Sequence, residues 1–361
     1  MGALAQSQNT AYGSGALGSN YGTGNSAFGY YPLYSNTSTG YYNSALGAYA
    51  LYENTSGSDN MAFGYNALRG NTTGSYNSAI GTGAIASAQT GNYNEALGWD
   101  ALASNNSGGY NMAIGSQTLI NNTSGNYNVA IGHNALGSNF IGSYNIAIGV
   151  NAGLNISSGP SNSKSYNIDI ANAGTTTDAG TVRIGTSGNQ TSFFVAGVDG
   201  VSVSEGIPVY INSSGQLGTV NSSIRYKEDV HDMGDASSAI FRLRPVTYHY
   251  KQAYADGSRP IDYGLIAEEV AKIYPDLVVF DSKGEIQTVQ YQKLTPMLLN
   301  ELQKQHQAVE QLEKTVKEQQ QTIQVLKTQQ AETIHLLEKR LTALEETQPS
   351  AVRLETELAT K

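Results

Sequence analysis

The chain of 361 residues has no cysteine, one tryptophan and eight prolines, and only 14% of its residues are charged. Ordinary globular proteins carry about 25% charged residues. Without cysteine there is no disulfide scaffold and no thiolate redox or metal chemistry. The net charge of −9 leaves no basic footprint for phosphate, so nucleic acid is not an expected partner. No apolar run reaches the ~18 residues that a membrane helix needs, so membrane insertion is not expected. The N-terminus shows no basic stretch followed by an apolar one, so no secretory leader is expected. What the chain has in excess is glycine (40) and tyrosine (24).

Composition divides the chain. Residues 1–160 hold five charged side chains (Glu53, Asp59, Arg69, Glu95, Asp100) and 27 of the 40 glycines. Residues 291–361 hold no glycine and 19 charged side chains. The first end reads as β-type material, the last as a long polar helix. Residues from about 220 to 292 have the charge and hydrophobicity of an ordinary globular domain.

The first segment is a repeat. The motif Asn-x-Ala-(Ile/Leu/Phe)-Gly starts at Asn9, Asn25, Asn43, Asn60, Asn77, Asn94, Asn111, Asn128 and Asn145, with Tyr12 in the fourth place of the first copy. The gaps are 16, 18 and then 17 six times. Leu or Ile recurs eight residues after the Asn, from Leu17 to Leu136, and Gly fourteen after, from Gly57 to Gly142. Tyr commonly precedes the Asn, as at Tyr76, Tyr93, Tyr110, Tyr127 and Tyr144.

Seventeen residues are too few for a helix pair or a propeller blade. They suffice for two strands of about four or five residues with two Gly/Asn turns. The Ile/Leu/Phe and the later Leu are expected to point inward. One such coil buries too little to stand alone, so stacked coils, and several chains side by side, are expected to share a core. Stacked Asn side chains can hydrogen-bond up the ladder. The pattern resembles the left-handed β-roll heads of trimeric autotransporter adhesins over about residues 9–157, with a longer repeat. A single-chain β-solenoid is the plainer alternative. The Tyr row offers aromatic faces for sugars, or it is a solvent-facing ladder without a ligand. The sequons at Asn36, Asn54, Asn71 and Asn105 arise from the repeat and are poor evidence of glycosylation.

Residues 161–221 read as a β-rich connector or stalk. Its β-prone runs are 181–185, 192–196 and 209–212, with turns at Asp199-Gly200 and Ser214-Gly215. Strands this short are expected to draw on neighbouring chains for a core.

Residues 222–292 carry the candidate chemistry. Five strings follow in order: Ser222-Ser223-Ile224-Arg225-Tyr226-Lys227, Leu243-Arg244-Pro245-Val246-Thr247-Tyr248, Gly264-Leu265-Ile266-Ala267-Glu268-Glu269-Val270, Tyr274-Pro275-Asp276-Leu277-Val278, and Val289-Gln290-Tyr291-Gln292-Lys293-Leu294. Together they resemble the self-cleaving intramolecular chaperone domain of phage endosialidases and tail fibres. The resemblance implies a Ser/Lys peptidase that cuts once, between Asn221 and Ser222, with Ser222 as nucleophile and Lys227 as base. Ser223 stands where that family has Asp, and Glu268 where it usually has Gln. A serine hydroxyl needs a base, and a lysine serves as one when burial lowers its pKa. Gly264 and Glu268 are supporting candidates. Arg225 is expected to pair with a carboxylate, Glu268 or Glu269, rather than join the chemistry.

The histidines at 133, 231, 249, 306 and 335 are scattered without metal spacing, so no metal and no cofactor is expected. The glycine strings lack a nucleotide-binding context, and the head lacks a glycosidase carboxylate pair.

Between 293 and 347, Leu302, Val309, Leu312, Val316, Ile323 and Leu326 follow a 4/3 alternation with Gln305 and Gln319 in the seam. Ile334, Leu337, Leu341 and Leu344 resume it after a four-residue slip, a stutter. Residues 348–361 read as a frayed tail.

The expected fold is mainly β: left-handed trimeric β-roll repeats (1–160) and a β stalk (161–221), then a small α+β chaperone domain (222–292) and a coiled coil (293–347). The expected function is a homotrimeric tail-fibre-like protein of a virion or phage-like particle, binding itself and a bacterial surface glycan or protein receptor. Its chaperone domain would direct trimerisation and leave by autoproteolysis. The alternatives are a bacterial surface trimeric adhesin without cleavage and a polysaccharide-degrading fibre.

Overall fold

A computed structural model describes residues 8–347 except 20–21, 37–38, 88, 157–158, 160, 162, 199–202, 255 and 282. The expected turn at Asp199-Gly200 and the tail beyond 347 lie outside the described residues. The chain forms two compact units, residues 1–200 and 201–361.

The first unit is a parallel β-solenoid. Eleven three-residue strands pair in chain order into one sheet. They are β1 (Thr10–Tyr12), β2 (Ser26–Phe28), β3 (Ser44–Leu46), β4 (Met61–Phe63), β5 (Ser78–Ile80), β6 (Glu95–Leu97), β7 (Met112–Ile114), β8 (Val129–Ile131), β9 (Ile146–Ile148), β10 (Ile168–Ile170) and β11 (Val182–Ile184). From β1 to β9 the register sets motif Ala against motif Ala, as in Ala96 to Ala113. The sheet runs past residue 160, where the motif has faded, through β10 and β11.

Two expectations about the coil are corrected. Each coil has one strand, not two. The other side is a chain of turns in which non-glycine residues take left-handed dihedrals, as at Asp100 (φ 52), Leu102 (φ 53) and Tyr110 (φ 59). Such residues cost about 1–2 kcal/mol each. Hydrogen bonds to neighbouring coils offset this: Asp100 N–H donates to Thr82 O at 3.0 Å and Leu102 N–H to Thr118 O at 2.9 Å. A lone coil has no such partners, so each depends on its neighbours.

The second correction concerns the inward residues. In β2 to β9 the middle Ala is buried, and the Ile, Leu or Phe after it faces outward. A coil this narrow has room inside for a methyl group, and the space left is filled by the Leu or Ile of the opposite turn. The core is thus a column of Ala45, Ala62, Ala79, Ala96, Ala113 and Ala130 against Leu51, Leu68, Ile85, Leu102, Leu119 and Leu136.

Two buried amide ladders run along the solenoid. Asn60 Nδ2 donates to Asn43 Oδ1 at 3.1 Å, Asn77 to Asn60 at 3.2 Å and Asn94 to Asn77 at 3.0 Å. The same side chains donate to the Gly carbonyl fourteen residues on, as Asn94 does to Gly108 at 2.9 Å. The second ladder joins Asn36, Asn54 and Asn71, then Gln89, Asn105, Asn122 and Asn139. It breaks between Asn71 and Gln89, where Asn71 Oδ1 is buried without a hydrogen bond. Gly108 belongs to this construction, because a Cβ there would lie 2.4 Å from the Gly125 carbonyl oxygen.

Tyr76, Tyr93, Tyr110, Tyr127, Tyr144 and Tyr166 stack with ring centroids 4.7–4.9 Å apart and planes within 12°. A pyranose between two rings would need about 3.5–4 Å on each side. The row therefore offers edges and hydroxyls rather than ring faces.

In residues 186–200, Phe193, Phe194 and Val195 are exposed and form no strand; Phe194 is 91% exposed.

The second unit begins with an exposed hairpin of β12 (Tyr210–Ile211) and β13 (Leu217–Gly218), turning at Ser214-Gly215 as expected. After a 3₁₀ turn (Ile224–Tyr226) and a longer 3₁₀ segment (Gly234–Arg242), β14 (Val246–Tyr248) pairs antiparallel with β15 (Asp262–Gly264). Helix α1 (Ala267–Ala271) leads to the hairpin of β16 (Val278–Phe280) and β17 (Ile286–Val289). Helix α2 (Tyr291–Thr347) closes the chain. Ile240, Val270, Leu277, Val278, Val289, Leu294 and Met297 make a small core where the start of α2 meets the rest. Beyond it, Leu302, Val309, Leu312, Ile323, Leu326, Leu337 and Leu341 are exposed, a stripe compatible with a coiled coil. Among the described residues no helix is long and apolar enough to cross a membrane.

Candidate functional site

The turn 222–227 is built by its own side chains. Ser223 precedes the 3₁₀ turn in an extended conformation, and its Oγ accepts from Arg225 N–H at 3.3 Å. Lys227 N–H donates to Ile224 O at 3.1 Å and closes the turn. The reversal brings Lys227 Nζ to 3.2 Å from Ser222 Oγ. One tight turn thus joins the two residues chosen from sequence as nucleophile and base, next to the Asn221–Ser222 bond.

Both side chains are exposed. Lys227 forms no ion pair among the described residues. The turn supplies proximity and leaves both groups open to solvent.

Arg225 departs from expectation. Its Nε donates to Ser223 Oγ at 3.3 Å, and its guanidinium lies 5.7 Å from the Tyr226 ring centroid. It pairs with neither Glu268 nor Glu269. The cation on Glu269 is Arg244, a forked pair with Nε 3.1 Å and Nη2 2.5 Å from the two carboxylate oxygens. The hydrogen bond from Arg244 holds the Glu269 carboxyl below its usual range. Arg244 precedes β14 and Glu269 lies in α1, so the pair ties hairpin to helix. Glu268 is exposed in the first turn of α1.

Gly264, at the end of β15, has a packing role. Tyr291, the first residue of α2, places its hydroxyl 2.9 Å from Leu265 N–H, which donates to it. A Cβ on Gly264 would lie 2.7 Å from that oxygen.

Sequence reasoning missed the clasp between the 3₁₀ segment 234–242 and α2. Ser237, fully buried, donates to Glu301 Oε1 at 2.5 Å and accepts from Asn300 Nδ2 at 2.6 Å. Lys304 Nζ lies 3.0 Å from both Glu301 Oε1 and Asp235 Oδ1. The hydrogen bonds from Ser237 and Lys304 hold the Glu301 carboxyl below its usual range. A Ser and a Glu 64 residues apart, in different elements, leave no local pattern to find.

A family model described as chaperone of endosialidase matches residues 222–279, beginning at Ser222 itself. No curated protein and no solved structure matches the chain.

Proposed function

We propose that this chain is the subunit of a homotrimeric fibre of the tail-fibre type, whose C-terminal part is an assembly chaperone that cuts itself off between Asn221 and Ser222. The family match starting at Ser222, the residue after that bond, carries the reading. The division follows: a β-roll head, a stalk ending at 221, a chaperone over 222–292 and a coiled coil over 293–347. Such a fibre belongs on a virion or phage-like particle, where the head would contact a bacterial surface glycan or protein.

Two sets of exposed apolar side chains favour several copies. Val198, Val203, Ile207, Val209, Ile211, Leu217, Val220, Ile224 and Tyr226 are all exposed around the proposed cut. The seam of α2 is exposed as well. Exposed apolar side chains in such numbers favour burial against further copies of the chain.

The cleavage step needs no cofactor. Ser222 Oγ attacks the Asn221 carbonyl carbon while Lys227 Nζ takes the hydroxyl proton. That proton passes to the Ser222 nitrogen as the C–N bond breaks, giving an ester and a free α-amine. Water then hydrolyses the ester to the Asn221 carboxylate and restores the Ser222 hydroxyl. Adjacency in the chain supplies the proximity that favours the first step. Lys227 has to be neutral to accept the proton, and copies packing over the exposed turn would bury it. Cleavage would then report completed assembly. Loss of the chaperone would leave the stacked head kinetically trapped.

Intact mass spectrometry of the expressed protein tests this. Two products dividing between Asn221 and Ser222 are expected from the wild type, and a single uncut chain from Ser222→Ala and from Lys227→Ala. A wild type that stays whole, or a cut product from either variant, overturns the assignment. Sedimentation of the wild type as a single folded copy overturns the trimer.

A further inference from the structure

The outward face of the solenoid sheet carries two side chains per strand, one on each side of the middle residue, which is buried from β2 to β10. Near the N-terminus the first of them is commonly polar: Ser26, Ser44, Ser78 and Glu95. From β7 onward both are apolar: Met112 and Ile114, Val129 and Ile131, Ile146 and Ile148, Ile168 and Ile170, Val182 and Ile184. These side chains are half-buried or exposed in the single chain. The face therefore grows more apolar towards the C-terminal coils, and in chain order the exposed Phe193, Phe194 and Val195 follow.

Size decides how such a face can be used. With strands about 4.8 Å apart and about 7 Å between the two outward residues, eleven strands make a strip of roughly 50 by 7 Å. That is far below the ~800 Å² per partner of a stable interface. Free copies would not hold together on it. Copies already joined elsewhere in the chain would, because a tether raises their effective concentration to the millimolar range.

We propose that copies of this chain pack on one another through the outward face of this sheet, and that packing starts at the β7–β11 end and advances towards β1. The occupant is a second copy because the face is almost free of charge, with Glu95 alone ionisable on β2–β9, and because its apolar content rises towards the tethered end. This inference rests on the homotrimer reading. It adds which face meets and in which direction the copies close.

The absence of native cysteine makes the test direct. Leu97→Cys on β6 places a single thiol midway along the face, and its labelling rate in the full chain reports whether that face is covered. Serine already stands beside the motif Ala in β2 and β3, so Val129→Ser/Ile146→Ser/Ile168→Ser gives the late strands side chains that the coil accepts. This variant should label at least tenfold faster than the Leu97→Cys parent. Phe28→Ser/Leu46→Ser/Phe63→Ser should leave the rate within about twofold of the parent. Equal acceleration by both, or by neither, overturns the proposal. A parent whose thiol reacts as fast as in denaturant overturns it too, even if the wild type sediments as a trimer. Sedimentation of the wild type as one copy instead removes the trimer reading itself.

Discussion

Asp169 faces Arg183 in register across β10 and β11, yet Arg183 gives its side-chain hydrogen bonds to Asp178, at 2.7 and 2.6 Å. Asp169 holds the inward slot that Ala147 fills in the coil before, and both of its buried oxygens lack a partner. Burial, with the nearby Asp178 charge, pushes its carboxyl up to about 6, and Arg183 offsets this only in part. The hydrogen bond from Arg183 holds the Asp178 carboxyl below its usual range.

These two carboxylates act in different pH windows. Asp169 binds its proton more tightly folded than unfolded, so stability falls as pH rises from about 4 through about 6 and stays reduced above that. The stability that Asp178 contributes is present above its unfolded value of about 4 and is lost only in stronger acid. Between pH 4 and 7 Asp169 should therefore dominate the last coils. Asp169→Ala should stabilise the head more at pH 7 than at pH 4, by roughly 1–3 kcal/mol once solvent screening of the carboxylate is allowed for. It should also flatten the pH dependence of thermal unfolding over this window. A variant as pH-dependent as the wild type would refute this.

Asn94 shows what the amide ladder is worth. Its Nδ2 donates to Asn77 Oδ1 and Gly108 O, and its Oδ1 accepts from Asn111 N–H at 3.2 Å and Asn111 Nδ2 at 3.1 Å. Asn94→Ala leaves several buried groups unpaired at about 1–3 kcal/mol each. A loss of about 3–5 kcal/mol is expected in chemical denaturation of the head. Asn71→Ala should cost less, because Asn71 Oδ1 already has no partner.

The second ladder also decides the sequons. Asn36, Asn54, Asn71 and Asn105 are all fully buried with side-chain amides committed to hydrogen bonds. Expression in a glycosylating host should leave these four asparagines unmodified in the folded protein, as peptide mass mapping would show.

The repeat was legible because every coil meets the same neighbours and so reuses the same residues. Period and amide ladder follow from that, while the long helix was legible from its heptad-spaced apolar residues. The direction of the fourth motif residue was not legible. Alternation within a three-residue strand permits either face, and only the coil's width shows that Ala96 fits inside and Leu97 does not. Nor could sequence show that Arg244 rather than Arg225 takes Glu269, since that choice depends on how β14 and α1 pack. The Ser222–Lys227 contact is local, within five residues, and whether it cuts the chain is for the Ser222 and Lys227 variants to decide.

Gly264 at the end of β15 and Tyr291 at the start of α2 are in contact. The Tyr291 hydroxyl lies 2.7 Å from where a Cβ on Gly264 would be and accepts from Leu265 N–H. Gly264→Ala should cost about 1–3 kcal/mol, the range for overpacking a filled site. Tyr291→Phe should cost about 1 kcal/mol for its lost hydrogen bond. If the clash is with that one oxygen, removing it makes room for the methyl, and the double variant should be more stable than the sum of the two losses allows. A coupling energy of at least about 0.5 kcal/mol in the denaturation cycle is the expected sign. Strict additivity would mean that Gly264 is required by its backbone rather than by Tyr291, and the contact would lose its place in the account of how β15 meets α2.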